Sequence, residues 1–193
     1  MTEKIKSPGG LVEGRRRFLT KGSTAVLSGA ALAMMAGAGG RTLIGEAQAS
    51  ENDVSILNAA VSTEYEAIAA YQLGAESGLL SAGALKLGIS FQDHHKQHVD
   101  ALVATVQKLG GGANEPLADY GFPLDKLTDE AAVLRLAAGL EKGAVSAYLG
   151  AVPILDDRDL AKVAASILGD EAMHWAVLRN ALGEDPVPVA FVE

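Results

Sequence analysis

The chain has 193 residues and no cysteine, with 16 Lys+Arg against 24 Asp+Glu for a formal net charge of −8, and it is 49% hydrophobic but only 5% aromatic. That length makes one domain of ordinary size, or one domain behind a processed leader, with enough chain to bury a core unaided. The lack of cysteine excludes disulfides, thiolate zinc sites, rubredoxin-type iron centres, iron–sulfur clusters, cysteine nucleophiles and a lipid-anchored N-terminal cysteine.

Residues 14–21 read Gly-Arg-Arg-Arg-Phe-Leu-Thr-Lys, and the stretch Ser23 to Gly37 is free of charge and rich in Ala, Gly, Leu and Met. That stretch is too short for the roughly 20 residues a bilayer-spanning helix needs. Ala47-Gln48-Ala49 then precedes the polar Ser50-Glu51-Asn52-Asp53. A charged region, a short apolar region and Ala-x-Ala in that order are the anatomy of an export signal. The paired arginines before Phe18-Leu19 resemble the twin-arginine type, which implies passage of a folded, often metal-loaded protein through the twin-arginine export machinery. Cleavage after Ala49 is expected, giving a leader over 1–49 and a periplasmic or otherwise exported domain over 50–193. That domain has 144 residues, 9 of them basic and 21 acidic, for a net charge of −12. Such an acidic chain argues against nucleic acid and anionic membrane as partners, and no stable membrane span is expected after processing.

From Asp53 onward the apolar residues recur at helical spacing and no strand-like alternation interrupts them. The first segment, about Asp53 to Ser77, carries Leu57, Ala60/Val61, Ile68, Tyr71 and Ala75 on one face, with Glu64 in the middle of that stripe. The second, about Ala84 to Leu109, carries Leu87, Phe91, Leu102, Thr105/Val106 and Leu109, with His94, His95 and His98 filling a gap, and it stops at Gly110-Gly111-Gly112. The third runs from about Asp129, with Thr128 as the expected N-cap, to Val152 before Pro153. Its stripe is Leu134, Ala137, Ala144/Val145 and Tyr148, interrupted by Glu141. The fourth, about Asp157 to Leu182, shows Leu160, Val163/Ala164, Ile167, Leu178 and Ala181/Leu182, interrupted by Glu171 and His174.

Every interruption falls near the middle of its helix. At ~1.5 Å rise per residue, Glu64, His98, Glu141 and Glu171 lie within about 5 Å of one plane in an up-and-down bundle. Short links around Gly78 to Gly83 and Pro153 to Asp156 predict two antiparallel hairpins, and the stretch from Gly110 to Leu127 is long enough to cross the bundle end to end. The hairpins also resemble one another. Glu64 to Tyr71 aligns with Glu141 to Tyr148 at an offset of 77, and His98 and His174 are 76 apart, which predicts a pseudo-two-fold axis through the polar centre.

Three carboxylates on apolar faces, with no Lys or Arg on the same stripes, cost several kcal/mol unless they are paired or bound to a cation. Their mutual repulsion raises their pKa values or recruits a cation, and a divalent metal answers both needs. Glu171-Ala172-Met173-His174 puts a carboxylate and an imidazole three residues apart on one helical face, as di-metal carboxylate bundles do. Tyr71 and Tyr148 are expected as core residues with hydroxyls near the polar layer, and Trp175 as packing.

The order Glu64, His98, Glu141, Glu171-x-x-His174, with the long crossover and the closing segment Pro186 to Phe191, resembles the ferritin-like superfamily. More narrowly, it resembles the exported bacterial ferritin-like domain proteins that carry twin-arginine leaders. The resemblance covers essentially all of the chain after the leader and implies an all-α, ferritin-like four-helix bundle holding Fe or Mn, with Zn also compatible, as one or two ions per chain. One position departs from the family pattern. Where a Glu is wanted three residues before His98, this chain has His95, so the implied ligand set is Glu64, His95, His98, Glu141, Glu171 and His174, with His94 as the alternative inward residue. A full di-iron site uses four carboxylates, two of them bridging. Three Glu with up to three His suit Fe, Mn or Zn through nitrogen and oxygen, and tilt the expectation toward one tightly held ion.

Three functions follow as expectations. The first is an exported metal-binding bundle that oxidises iron or handles peroxide and oxygen. The second is a non-enzymatic bundle with one structural or stored metal, and the third a metal-free scaffold for another envelope protein. A homo-oligomer is compatible with all three, whereas a storage cage is not indicated.

Overall fold

The structure is a computed structural model, and it describes residues 51–192. The expected leader over 1–49 lies outside the described residues, as does its cleavage site. Among the described residues there are four α-helices: α1 (Glu51–Glu76), α2 (Ala82–Lys108), α3 (Glu130–Ala151) and α4 (Arg158–Ala181). Each lies within a few residues of its predicted span. A short 3-10 turn at Leu124–Lys126 sits in the long connection, where only irregular chain was expected.

Local chemistry sets the helix ends. Ser81 caps α2 by accepting from the Ala84 N–H, and Asp157 caps α4 by accepting from the Asp159 and Leu160 N–H groups at 2.7 and 3.3 Å. The expected cap Thr128 is corrected to Asp129, whose carboxylate accepts from the Ala132 N–H at 2.8 Å. A carboxylate also suits the positive end of the helix dipole better than a hydroxyl does. After α2, Gly110 takes φ +80°, which lets its N–H reach the Gln107 carbonyl and the Gly111 N–H reach the Val106 carbonyl at 2.9 Å. This paired closure needs a residue free of Cβ crowding, and Gly183 at φ +73° repeats it after α4.

Helices α1 and α2 pack as one antiparallel hairpin, α3 and α4 as another, and the hairpins meet mainly along α1 and α3. The crossover runs from one end of the bundle to the other. At its start Asn114 bonds the Asn58 side chain and carbonyl and the Ser62 hydroxyl on α1, and at its end Glu130 accepts from the Ser81 N–H at the start of α2.

The apolar core is split in two. One cluster gathers Leu57, Val61, Leu102, Val106, Tyr148, Leu155, Leu160, Ala161, Ala164 and Ile167. The other, toward the far end, gathers Tyr71, Phe91, Leu134, Ala137, Ala138 and Leu178. Burying each large aliphatic side chain contributes about 1.5–3 kcal/mol, so the two clusters hold the bundle shut on either side of whatever lies between them. The polar layer lies between them. Among the described residues, no helix is long and apolar enough to cross a membrane.

Candidate metal centre

Five of the six expected ligands are sealed from solvent: Glu64, His95, Glu141, Glu171 and His174 are each 2% exposed or less. The sixth, His98, keeps 14% of its side chain exposed and sits at the edge of the layer. All six come together. His95 Nδ1 is 2.8 Å from Glu64 Oε2 and 3.6 Å from Glu171 Oε1, while its Nε2 is 3.3 Å from Glu141 Oε1. His98 Nδ1 lies 3.4 Å from Glu64 Oε2 and 3.1 Å from Glu171 Oε1. His174 Nδ1 lies 3.5 Å from both Glu141 Oε1 and Glu171 Oε2.

The choice between neighbouring histidines is settled by geometry. His95 points into the layer, whereas the His94 side chain is 40% exposed and sits outside it, with Nδ1 2.9 Å from His174 Nε2 and 3.2 Å from Asp170 Oδ2. Adjacent helical residues point about 100° apart, so only one of the two can face the axis. Asp170 is a participant the sequence reading missed. Its Oδ2 lies 3.4 Å from His98 Nε2 and 3.4 Å from His174 Nε2, so it fixes both rings with their Nδ1 atoms turned inward. Its position just before Glu171, matching that of His94 just before His95, was the available signal.

The tyrosines join the hairpins. The Tyr71 hydroxyl donates to Glu141 Oε1, and the Tyr148 hydroxyl donates to Glu64 Oε1 at 2.5 Å, so each hairpin's tyrosine bonds the other hairpin's glutamate. That reciprocity is the symmetry the internal repeat predicts. Phe91 borders the layer beside Tyr71, stacking on the His174 ring with centroids 4.0 Å apart.

Burial and mutual charge work against each other here. For His95, burial disfavours the charged ring, but bonds to Glu141 and Glu64 prevail and raise its pKa to about 10. The same contest raises His98 to about 11, chiefly through Asp170, Glu171 and Glu64, and His174 to about 9, through Glu141 and Glu171. Burial likewise acts to raise Glu64 and Glu141, yet the surrounding imidazoles hold both below the usual carboxylate range. Glu171 goes the other way, because burial and its neighbouring carboxylates outweigh His174 and His98. Burial and the adjacent glutamates push both tyrosines well above 10.

Even so, the layer is not satisfied by its own members. Both oxygens of Glu171, Oε2 of Glu141 and Nδ1 of His174 are buried with no hydrogen bond, although His95, His98 and His174 all stand within ion-pair reach of Glu171. Buried polar atoms without partners are costly, and a cation with an appetite for nitrogen and oxygen would engage all four. Two overlapping sets inside the layer have the spacing for it, and a third group, His94, Asp170 and His174, lies at its outer edge. Of the two inside, Glu64, His95, His98 and Glu171 form one, and His95, Glu141, Glu171 and His174 the other, with the ligating atoms of each set within 4.8 Å of one another.

Sequence comparison agrees with this architecture: the profile of the ferritin-like domain family matches residues 52–184. The chain belongs to the ferritin-like domain family. Among solved structures, a conserved hypothetical protein from Mycobacterium tuberculosis is similar to this ferritin-like chain at 22% identity, with a TM-score of 0.64 over 69% of this chain and 98% of that one. No curated protein matches it. As a likeness of fold, the mycobacterial structure supports the ferritin-like bundle and nothing further.

Proposed function

We propose that this ferritin-like protein is exported to the cell envelope and binds a redox-active divalent metal, iron or manganese, through Glu64, His95, His98, Glu141, Glu171 and His174. In this reading it serves iron, oxygen or peroxide chemistry. The observation that carries the metal reading is Glu171: a carboxylate with no solvent exposure and no hydrogen bond on either oxygen, set among two further carboxylates and three imidazoles. A bound ion would supply electron transfer and a polarising charge. The residues of the chain do the rest. Asp170 orients His98 and His174, the tyrosine hydroxyls hold Glu64 and Glu141, and the two apolar clusters exclude water. Cellular location rests on the leader pattern of residues 14–49 alone.

Purified protein reconstituted anaerobically with Fe(II), Mn(II) or Zn(II) is expected to retain metal after desalting, and less than about 0.1 ion per chain with every metal refutes the reading. Reoxidation of the reduced, iron-loaded protein by oxygen or peroxide tests turnover, and its absence leaves a stored or structural ion. N-terminal sequencing of protein from the envelope fraction tests export, with Ser50 as the expected first residue.

A further inference from the structure

His95 stands where the two candidate ligand sets overlap. In the second hairpin the equivalent place, 76 residues on, is held by Glu171, and the pair His94-His95 answers to Asp170-Glu171. Both residues face both ways. Glu171 turns Oε1 toward His98 and Oε2 toward His174, and His95 turns Nδ1 toward Glu64 and Nε2 toward Glu141. Each half therefore presents one unshared glutamate, one unshared histidine, one nitrogen of His95 and one oxygen of Glu171. An imidazole serving a single ion has one nitrogen in the site and the other on an outer partner such as a carbonyl or carboxylate. His98 and His174 follow that pattern, with Nε2 on Asp170. His95 does not, since both of its nitrogens face carboxylates of the layer itself.

We infer that His95 is a bridging ligand that joins two metal ions, one on each ring nitrogen, with Glu171 as the second bridge. This rests on the metal-binding reading above and departs from the sequence-based expectation of one tightly held ion. Each half then has two nitrogen and two oxygen ligands, a set that suits later first-row ions as well as iron. The bonding balances. Two nitrogen–metal bonds form, and the two ring N–H bonds that point at Glu64 and Glu141 break, their protons leaving to solvent. The bridge also sets the spacing: two nitrogen–metal bonds of about 2 Å added across the ring hold the ions on the order of 6 Å apart, beyond the ~3.5–4 Å of compact two-metal centres.

Copper(II) is the probe, because two coppers joined through one imidazole couple magnetically and lose EPR intensity. The full-length protein is expected to bind two Cu(II) per chain with an EPR intensity well below the copper present. His95→Gln, checked for retained helicity, is expected to lose one ion or to restore the signal to the full copper content. His94→Ala is expected to keep both ions and the diminished signal, which excludes the outer group of His94, Asp170 and His174 as the second position. Saturation at one ion, two ions with undiminished signal, or loss of an ion in His94→Ala would each overturn the bridge while leaving the metal-binding reading intact. Failure of the unaltered protein to bind any metal overturns both. Because stoichiometry and EPR intensity of the unaltered protein decide the matter, a His95→Gln chain that does not fold leaves the test standing.

Discussion

Tyr148 and Glu64 show how single side chains hold the layer. The hydroxyl donates at 2.5 Å to a carboxylate that is 1% exposed, and a bond to a charged acceptor contributes about 1.5–3 kcal/mol. Tyr148→Phe is therefore expected to lower the unfolding free energy of the metal-free protein by about that amount in urea titrations. A change within about 0.5 kcal/mol would show that the hydroxyl does not bond Glu64. The sequence located both tyrosines near the layer, seven residues or two helical turns after each centred glutamate, but not the exchange of partners between hairpins. That exchange joins residues 84 and 70 positions apart, and helical periodicity carries no information about it. Likewise His94 and His95 could not be separated by periodicity alone. Their helix has no apolar residue between Phe91 and Val99 to fix its rotation, and only packing in the assembled bundle, chiefly against α1, turns His95 inward.

The helices themselves were legible because each carries an apolar stripe and a physical stop. Leu57, Phe91, Leu134 and Leu178 are all buried as their spacing predicts, and the Gly110 and Gly183 closures lie where glycine ends the pattern. Joints between elements were less legible. Asp53 reads as one more acidic residue at a helix start, yet it is fully buried, accepting from the Asp156 N–H at 2.7 Å and the Asp157 N–H at 3.1 Å. Its carboxylate ties the start of α1 to the link between α3 and α4, across roughly a hundred residues of sequence. Asp53→Ala removes both acceptors, and the expected loss is about 1–3 kcal/mol by chemical unfolding, with Asp53→Asn costing less because one acceptor oxygen remains. Equal losses in the two variants would show that the hydrogen bonds contribute little and that the site responds to packing. The exchange of Thr128 for Asp129 as the α3 cap has a similar cause, since both neighbouring side chains can cap and it is Asp129, in extended backbone, whose carboxylate closes on the Ala132 N–H.

For the molecule as a whole, the layer couples stability to pH. In the metal-free protein the imidazoles titrate at about 10, 11 and 9 in the fold for His95, His98 and His174, against 6.5 when unfolded. Groups whose pKa is raised by folding stabilise the fold fully below the unfolded value and lose that contribution as pH rises through the folded values. Glu64 and Glu141, lowered by the same contacts, contribute above about 4.5 and lose that contribution in acid. The melting temperature of EDTA-treated protein is therefore expected to fall progressively from about pH 6.5 to about pH 11, whereas protein saturated with metal resists that fall because the ion replaces the protons that are lost. A flat metal-free profile from pH 8 to 11 would contradict the ion-pair network. The likeness between hairpins carries a further consequence. Two identical hairpins associating as separate chains would be obliged to put the same residue at both equivalent places, so histidine could never face glutamate there. Covalent linkage through the crossover lifts that obligation, and His94-His95 opposite Asp170-Glu171 is a composition that two copies of one hairpin chain could not encode.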